Sequence, residues 1–308
     1  MTRYDLCVAW NWVYDGDFIS LLEAACRERG LSLWPVAPDN LAGALELLSA
    51  ADAAFLAFLD RASEADPRFL PLADWAVGHG VLEINPHDLA VHAGNKASMH
   101  LEVITAGIHT PQTIILPPHN LQPDLLSPDL SSLGNAFIVK PAHGGGGEGV
   151  LFEVSTFQQV LEARQAFPHD YYLLQEHIAP VALDGRPAWF RVLFCAEKVY
   201  PFWWSSMTPS YRAVTEEETA RHGLAPIEAT TRRIAQVCGL DLFSTEIALT
   251  AGGLFIVVDY VNNPIDLRLQ SAAADGVPDE TVRDIAARLA DLVMSRRHSL
   301  DSLSRPGL

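Results

Sequence analysis

Phe137-Ile-Val-Lys140-Pro-Ala-His143-Gly144-Gly145-Gly146-Gly147-Glu148-Gly149-Val-Leu-Phe-Glu-Val154 is the stretch that decides how this chain reads. Two apolar, β-branched runs flank a glycine loop, which predicts a hairpin. Five glycines within six positions far exceed what a hairpin turn requires. Without side chains, such a loop lets backbone N–H groups close over phosphate oxygens and can exclude water from a reacting phosphate. It is not a Walker A loop, which carries Gly-Lys-Ser/Thr at the start of a helix. Lys140 lies inside the first apolar strand, where an unpaired ammonium is costly unless an anion meets it. A nucleotide phosphate supplies that anion; an edge-strand lysine facing solvent is the alternative.

Upstream, strand and helix alternate. Residues 4–10, 31–36, 53–59 and 81–85 read as strands, and 18–30, 41–50 and 69–79 carry apolar residues at helical spacing. This predicts a parallel sheet with covering helices, a small Rossmann-like α/β domain over residues 1–92. No Gly-x-Gly-x-x-Gly follows its first strand, so dinucleotide binding lacks its main signature. The glycine hairpin sits in a central lobe, 93–178, with a helix opening at Asn95-Lys96, an extended segment 110–116, a helix 157–166 and a strand 171–178. The remainder, 179–308, reads as an antiparallel α+β lobe. Its strands are 188–196, 198–204, 242–249 and 254–261, with helices at 227–238 and 280–296, a loop reaching about residue 217, and a frayed tail from 301.

The last two strands hold Glu246, then Asp259 and Asn262. Paired through the turn at Thr250–Gly253, they bring the two carboxylates together, and oxygen ligands of this kind suit Mg²⁺. Solvated strand residues ahead of an Asn-Asn-Pro turn are the plain alternative.

Composition narrows the classes. The 308 residues are 49% hydrophobic, with 20 Gly and 20 Pro, so the chain buries a core. With 21 Lys+Arg against 38 Asp+Glu, the net charge of -17 argues against nucleic acid as a general partner. No apolar run approaches a membrane span, and no secretory signal opens the sequence, so a cytoplasmic protein is expected. Four scattered cysteines form no Cys-x-x-Cys pair and read as buried thiols.

In their order, these segments resemble the ATP-grasp superfamily, represented by glutathione synthetase, D-alanine-D-alanine ligase and the glutamate-adding ligases. The resemblance spans residues 90–298 and implies an ATP-grasp fold preceded by the small α/β domain. It implies ATP contacts at Lys96, Lys140, the loop glycines Gly144, Gly145, Gly146, Gly147 and Gly149, and a hinge at Gln175, Glu176, His177 and Ile178. Arg191 then faces the transferring phosphate, while Glu246, Asp259 and Asn262 hold Mg²⁺, a pair of ions for which Mn²⁺ can substitute. Two residues separate Asp259 from Asn262 where the family has one, leaving Asn262 or Asn263 as the amide ligand. The ribose contact stays open, Asp184 being the nearest acid downstream of the hinge.

The implied activity joins a small-molecule or peptide carboxylate to an amine, or a thiol, through an acylphosphate, releasing ADP and phosphate. An ATP-grasp kinase and a nucleotide-binding protein without turnover are the rivals, and a homodimer is the assembly considered. Arg212, closing the aromatic loop 201–212, and Arg268, beyond Asp266, are the substrate-clamp candidates, with ordinary packing the alternative for Trp203, Trp204 and Tyr211.

Overall fold

The computed structural model of the chain describes residues 1–205 and 210–303. Residues 206–209 of the aromatic loop and 304–308 of the expected tail lie outside the described residues. The first lobe runs β1 (Thr2–Trp10), α1 (Gly16–Glu28), β2 (Leu33–Val36), α2 (Leu41–Ser49), β3 (Ala53–Arg61), α3 (Leu70–His79) and β4 (Leu82–Ile84). Its strands form a parallel sheet in the order β2-β1-β3-β4, matching the expected alternation. Strand β1 is apolar on both faces because both are covered. Leu6 and Val8 pack on Phe18 and Leu22 of α1, whereas Cys7 and Ala9 join Leu41 and Leu72 of α2 and α3.

Two helices follow, α4 (His87–Gly94) and α5 (Lys96–Thr105), of which only α5 was expected. Helix α4 is eight residues long between Pro86 and Asn95, too short for a periodic signal. The central lobe is β5 (Thr113–Leu116), β6 (Phe137–Pro141), β7 (Leu151–Val154), α6 (Phe157–Ala163) and β8 (Tyr172–Glu176), an antiparallel sheet in the order β5-β8-β6-β7.

The third part starts with a short hairpin, β9 (Ala182–Leu183) and β10 (Arg186–Pro187), then β11 (Trp189–Cys195), β12 (Lys198–Trp203) and β13 (Arg212–Ala213). Helices α7 (Glu216–His222) and α8 (Ala225–Cys238) lead to β14 (Leu242–Leu249), β15 (Phe255–Asn262) and α9 (Asp279–Leu303). Its five strands pair antiparallel as β13-β12-β11-β14-β15. Helix α7 begins where the expected loop ends and was not itself expected, although its capping box, Thr215 with Glu218, is written in the sequence.

The C-terminal helix packs across a lobe boundary. Val282, Ile285 and Leu289 of α9 share one core with Phe18 and Leu22 of α1 and Leu193 of β11. Two polar anchors reinforce that union. Asn85, after β4, accepts the backbone N–H groups of Asp241 and Leu242 at 2.9 Å and donates to the Leu242 carbonyl and to Asn263 Oδ1. The buried Arg61 pairs with Asp15 at 2.6 Å and donates to the Ile265 carbonyl at 2.9 Å. The first lobe is thereby fixed to the turn that follows β15.

Candidate active site

Three strands set one row of charge. Cross-strand pairing places Arg191 of β11 opposite Glu246 of β14, and Glu246 opposite Asp259 of β15. Trp189 donates its indole N–H to Glu246 Oε2 at 3.0 Å, and Arg191 Nη1 lies 3.5 Å from Glu246 Oε1. The Arg191 guanidinium also sits over the Trp204 ring, 5.1 Å from its centroid. Burial pushes the Glu246 carboxyl above its usual range, and the Asp259 charge pushes it further. A cation between the two carboxylates would relieve that cost. Asp259 Oδ1 is buried without a hydrogen-bond partner, as a ligand oxygen awaiting a cation would be.

The pairing of β14 with β15 shifts on both sides of Glu246, giving bulges in the register. Their effect is to bring Asn262 back beside Asp259, whose Oδ2 accepts from Asn262 Nδ2 at 3.0 Å. Asn263 instead turns its side chain to Asn85, 2.6 Å away. Two carboxylates and an amide therefore converge, while among the described residues no group of three or more His, Cys, Asp or Glu could hold a metal by itself. That donor set fits Mg²⁺, which keeps waters and takes further oxygens from phosphates.

Lys140 reaches this row from β6. It is buried, and its ammonium donates to the Val258 carbonyl at 3.2 Å while lying 5.7 Å from the centre of the Tyr260 ring. Burial lowers its pKa, whereas Asp259 and, more weakly, Glu246 raise it. Lys96 occupies the first turn of α5, where the helix dipole repels a cation. Asn95 starts that helix by accepting from Ala97 N and Ser98 N, at 3.0 and 3.1 Å. The Lys96 ammonium extends to the Gly144 carbonyl at 2.5 Å, and its own backbone N–H bonds to Ala142.

The glycines divide into two kinds. A methyl group on Gly144, Gly145, Gly146 or Gly147 would meet nothing within 4 Å, although all but Gly145 have φ between +63° and +96°. At Gly149, φ is +71° and an added carbon would lie 2.6 Å from the Phe167 ring and 3.1 Å from Pro141. Gly149 thus has a packing reason to be glycine, and the other four leave open space. His143 is held at the loop's base by Asp170. One Asp170 oxygen accepts the His143 backbone N–H and the other meets Nδ1, each at 2.8 Å.

Gln175 points into the core, donating to Thr113 Oγ1 at 3.0 Å and to the Tyr260 hydroxyl at 2.8 Å, where His100 Nδ1 also bonds at 2.7 Å. This tie between β5, β8, α5 and β15 could not be anticipated, because no local pattern marks residues so distant in sequence. Together with Lys96, Lys140, Arg191, Glu246 and Asp259, residues 175–178 line one cleft of about 520 Å³. A larger cleft of about 850 Å³ adjoins it, sharing Lys96, Arg191, Trp204 and three loop glycines, and is walled opposite by the first lobe.

Arg268 lines the larger cleft, but Asp266 and Asp275 hold it at 2.7 and 2.8 Å. Arg212 is bound to Glu218 at 2.6 Å over Trp203 and is absent from both clefts. Asp184 pairs with Arg221 and His222. The four cysteines are buried and free. Burial pushes Cys26 and Cys238 up to about 11, which leaves them inert as thiolates.

Solved structures decide the fold. An ATP-grasp protein with a RimK domain from Sphaerobacter thermophilus superposes with a TM-score of 0.63 at 22% identity, covering 94% of this chain and 99% of that one. D-alanine-D-alanine ligase from Bacillus anthracis, solved with ATP, gives 0.66 at 13% identity over 99% of this chain and 100% of its own. The chain has the ATP-grasp fold. A third ATP-grasp structure, the ligase PsnB with a minimal precursor, Mg and ADP, gives a TM-score of 0.62 at 14% identity, covering 95% of this chain and 98% of that one. No protein-family model matches the sequence, and no curated protein matches it. No helix among the described residues is long and apolar enough to cross a membrane.

Proposed function

We propose that the chain is an ATP-dependent ligase that joins a carboxylate to an amine through an acylphosphate, releasing ADP and phosphate. The observation carrying this reading is the row Arg191, Glu246, Asp259 across three paired strands, with Lys140 facing it and Lys96 at the loop. Phosphoryl transfer asks a protein mainly for positioning and charge neutralisation, which this set supplies without a covalent nucleophile. Glu246, Asp259 and Asn262 would hold Mg²⁺, which when bound neutralises phosphate charge. Lys140 and Lys96 bind the nucleotide phosphates, Arg191 faces the phosphate in transit, and the backbone of residues 176–178 receives the adenine. The loop from Gly144 to Gly147 closes over the triphosphate and excludes water. The adjoining cleft receives the carboxylate and the amine, and the solved ATP-grasp ligases with ATP or with Mg and ADP support this reading.

The test is an ADP-release screen of purified protein with ATP and Mg²⁺ over paired carboxylates and amines, with mass spectrometry of the products. ADP and phosphate release requiring both substrates, with a product lighter than their sum by one water, is expected. Phosphate retained on a single acceptor would mean a kinase, and nucleotide affinity without turnover under every pairing would mean a binding protein.

A further inference from the structure

The two clefts meet along a seam, and few side chains belong to both. Besides three loop glycines, the shared residues are Lys96, His143, Arg191, Trp204 and Asn262. The hinge lines the smaller cleft alone, so a nucleotide with its adenine at the hinge presents its phosphate end to this seam. There the acylphosphate and the incoming amine of the proposed ligase must meet. Near neutral pH an amine arrives as an ammonium, and it must lose a proton before it can attack. Lysine and arginine hold their protons at that pH, and tryptophan and asparagine have none to exchange. Histidine is the exception. Of the other ionisable groups in the larger cleft, Asp266 and Asp275 are committed to Arg268, while Glu64 and His87 do not line the smaller cleft.

His143 is also held as a proton acceptor must be. The Asp170 side chain, 13% exposed, takes the His143 backbone N–H with Oδ2 and meets ring Nδ1 with Oδ1, each at 2.8 Å. A carboxylate only accepts, so the ring hydrogen is assigned to Nδ1 and the lone pair of the neutral ring to Nε2. The His143 side chain stays 57% exposed, which keeps the ring open to a reactant. We infer that His143 is the general base that deprotonates the incoming amine, with Asp170 the residue that positions it. In this step the ammonium gives one proton to Nε2, and the freed lone pair forms the C–N bond. The C–O bond to phosphate breaks with its electron pair leaving on the phosphate, which takes the second proton from nitrogen, and His143 returns its own proton to solvent. Around the ring, Asp170 and Glu64 offset the imidazolium that forms, and Lys96, bonded to the next residue's carbonyl, opposes it.

The assignment rests on the ligase reading, and its test separates the two. Purified protein with ATP and Mg²⁺ would be given the twenty amino acids, whose nucleophile is an ammonium, either alone or with hydroxylamine, which is largely uncharged at pH 7. Mass spectrometry would count dipeptides and hydroxamates. In His143→Gln, dipeptide formation at pH 7 should fall by about a hundredfold relative to hydroxamate formation, and the deficit should shrink toward pH 9.5, where the amine is freed without a base. Asp170→Asn, which reverses the hydrogen bond to Nδ1, should give the same pattern more weakly. Dipeptides and hydroxamates slowed alike, or a deficit equal at both pH values, would overturn the base and leave the ligase reading standing. A ring hydrogen on Nε2 of His143, seen by nitrogen NMR of the protein with Mg²⁺ and a non-hydrolysable ATP analogue, would overturn it as well. Neither product from the wild-type protein would overturn the ligase reading, and the base with it.

Discussion

The row across β11, β14 and β15 and the loop between β6 and β7 serve the same cleft with opposite physics. The row is built before any ligand arrives: Arg191, Glu246 and Asp259 are fixed by backbone pairing, Trp189 buttresses Glu246, and Lys140 is buried against Val258. Its stored tension is electrostatic, visible in a raised Glu246 and a lowered Lys140. The loop has four exposed glycines with free space around each, tethered by the Lys96 ammonium and by Asp170 at its base. The charge is mounted on paired strands, and the loop is made of residues that lose the most entropy on ordering.

The sharpest way to break this comparison is to remove charge from the row while keeping its volume. Lys140→Met should leave the protein folded and reduce turnover by about a thousandfold, the scale expected when one preorganised charge contact is lost. Nucleotide affinity by calorimetry and single-turnover rates check it, and wild-type values for both would take Lys140 out of the site. Glu246→Gln keeps an acceptor for Trp189 but weakens the hold on a hard cation. The Mg²⁺ concentration for half-maximal activity should rise by about tenfold, with excess Mg²⁺ restoring part of the rate.

Much of this contrast was legible in the sequence, and for stated reasons. A glycine run between apolar strands and a lysine inside one of them break local rules, so they stand out. That Glu246 and Asp259 lie near one another followed from a short turn between paired strands, although it is the register shift beside Glu246 that sets them directly opposite. The choice between Asn262 and Asn263 did not, because bulges in β15 and the bond from Asn85 settle their directions. Helix α9 was expected over 280–296, yet its partner α1 lies at the other end of the chain. Arg268 looked free for a substrate until Asp275, seven residues on, closed around it with Asp266. Gly149 looked like its neighbours, and only Phe167 separates it from them.

That separation sharpens the comparison within the loop. Gly145→Ala with Gly146→Ala should slow phosphate transfer by about tenfold and leave ADP affinity near wild type, because the methyl groups meet only space until triphosphate arrives. Gly149→Ala should behave in the opposite sense, costing about 1 to 3 kcal/mol of stability through overpacking against Phe167 and its positive φ. Thermal unfolding beside single-turnover rates checks both, and a destabilised double variant with an unaltered rate would reverse the assignment.

The smallest expected effect concerns Lys140 and pH. Its pKa is lowered in the folded protein, chiefly by burial, while the unfolded chain restores an ordinary lysine near 10.4. Between the lowered value and about 10.4, the unfolded state binds a proton that the native state has released. Stability contributed by this group therefore rises with pH across that window, by at most about 1.4 kcal/mol per pH unit for a single proton. ATP affinity must move the other way, since the phosphate partner is the protonated form that disappears. Other groups titrate in the same range, so the informative quantity is the difference between wild type and Lys140→Met, followed by urea unfolding and by ATP titration from pH 7 to 10.5. A wild-type ATP affinity that starts to fall only near the ordinary lysine value would show that burial leaves this ammonium unperturbed. A relative stability that drops with rising pH would show that the neighbouring acids outweigh burial and hold the proton on.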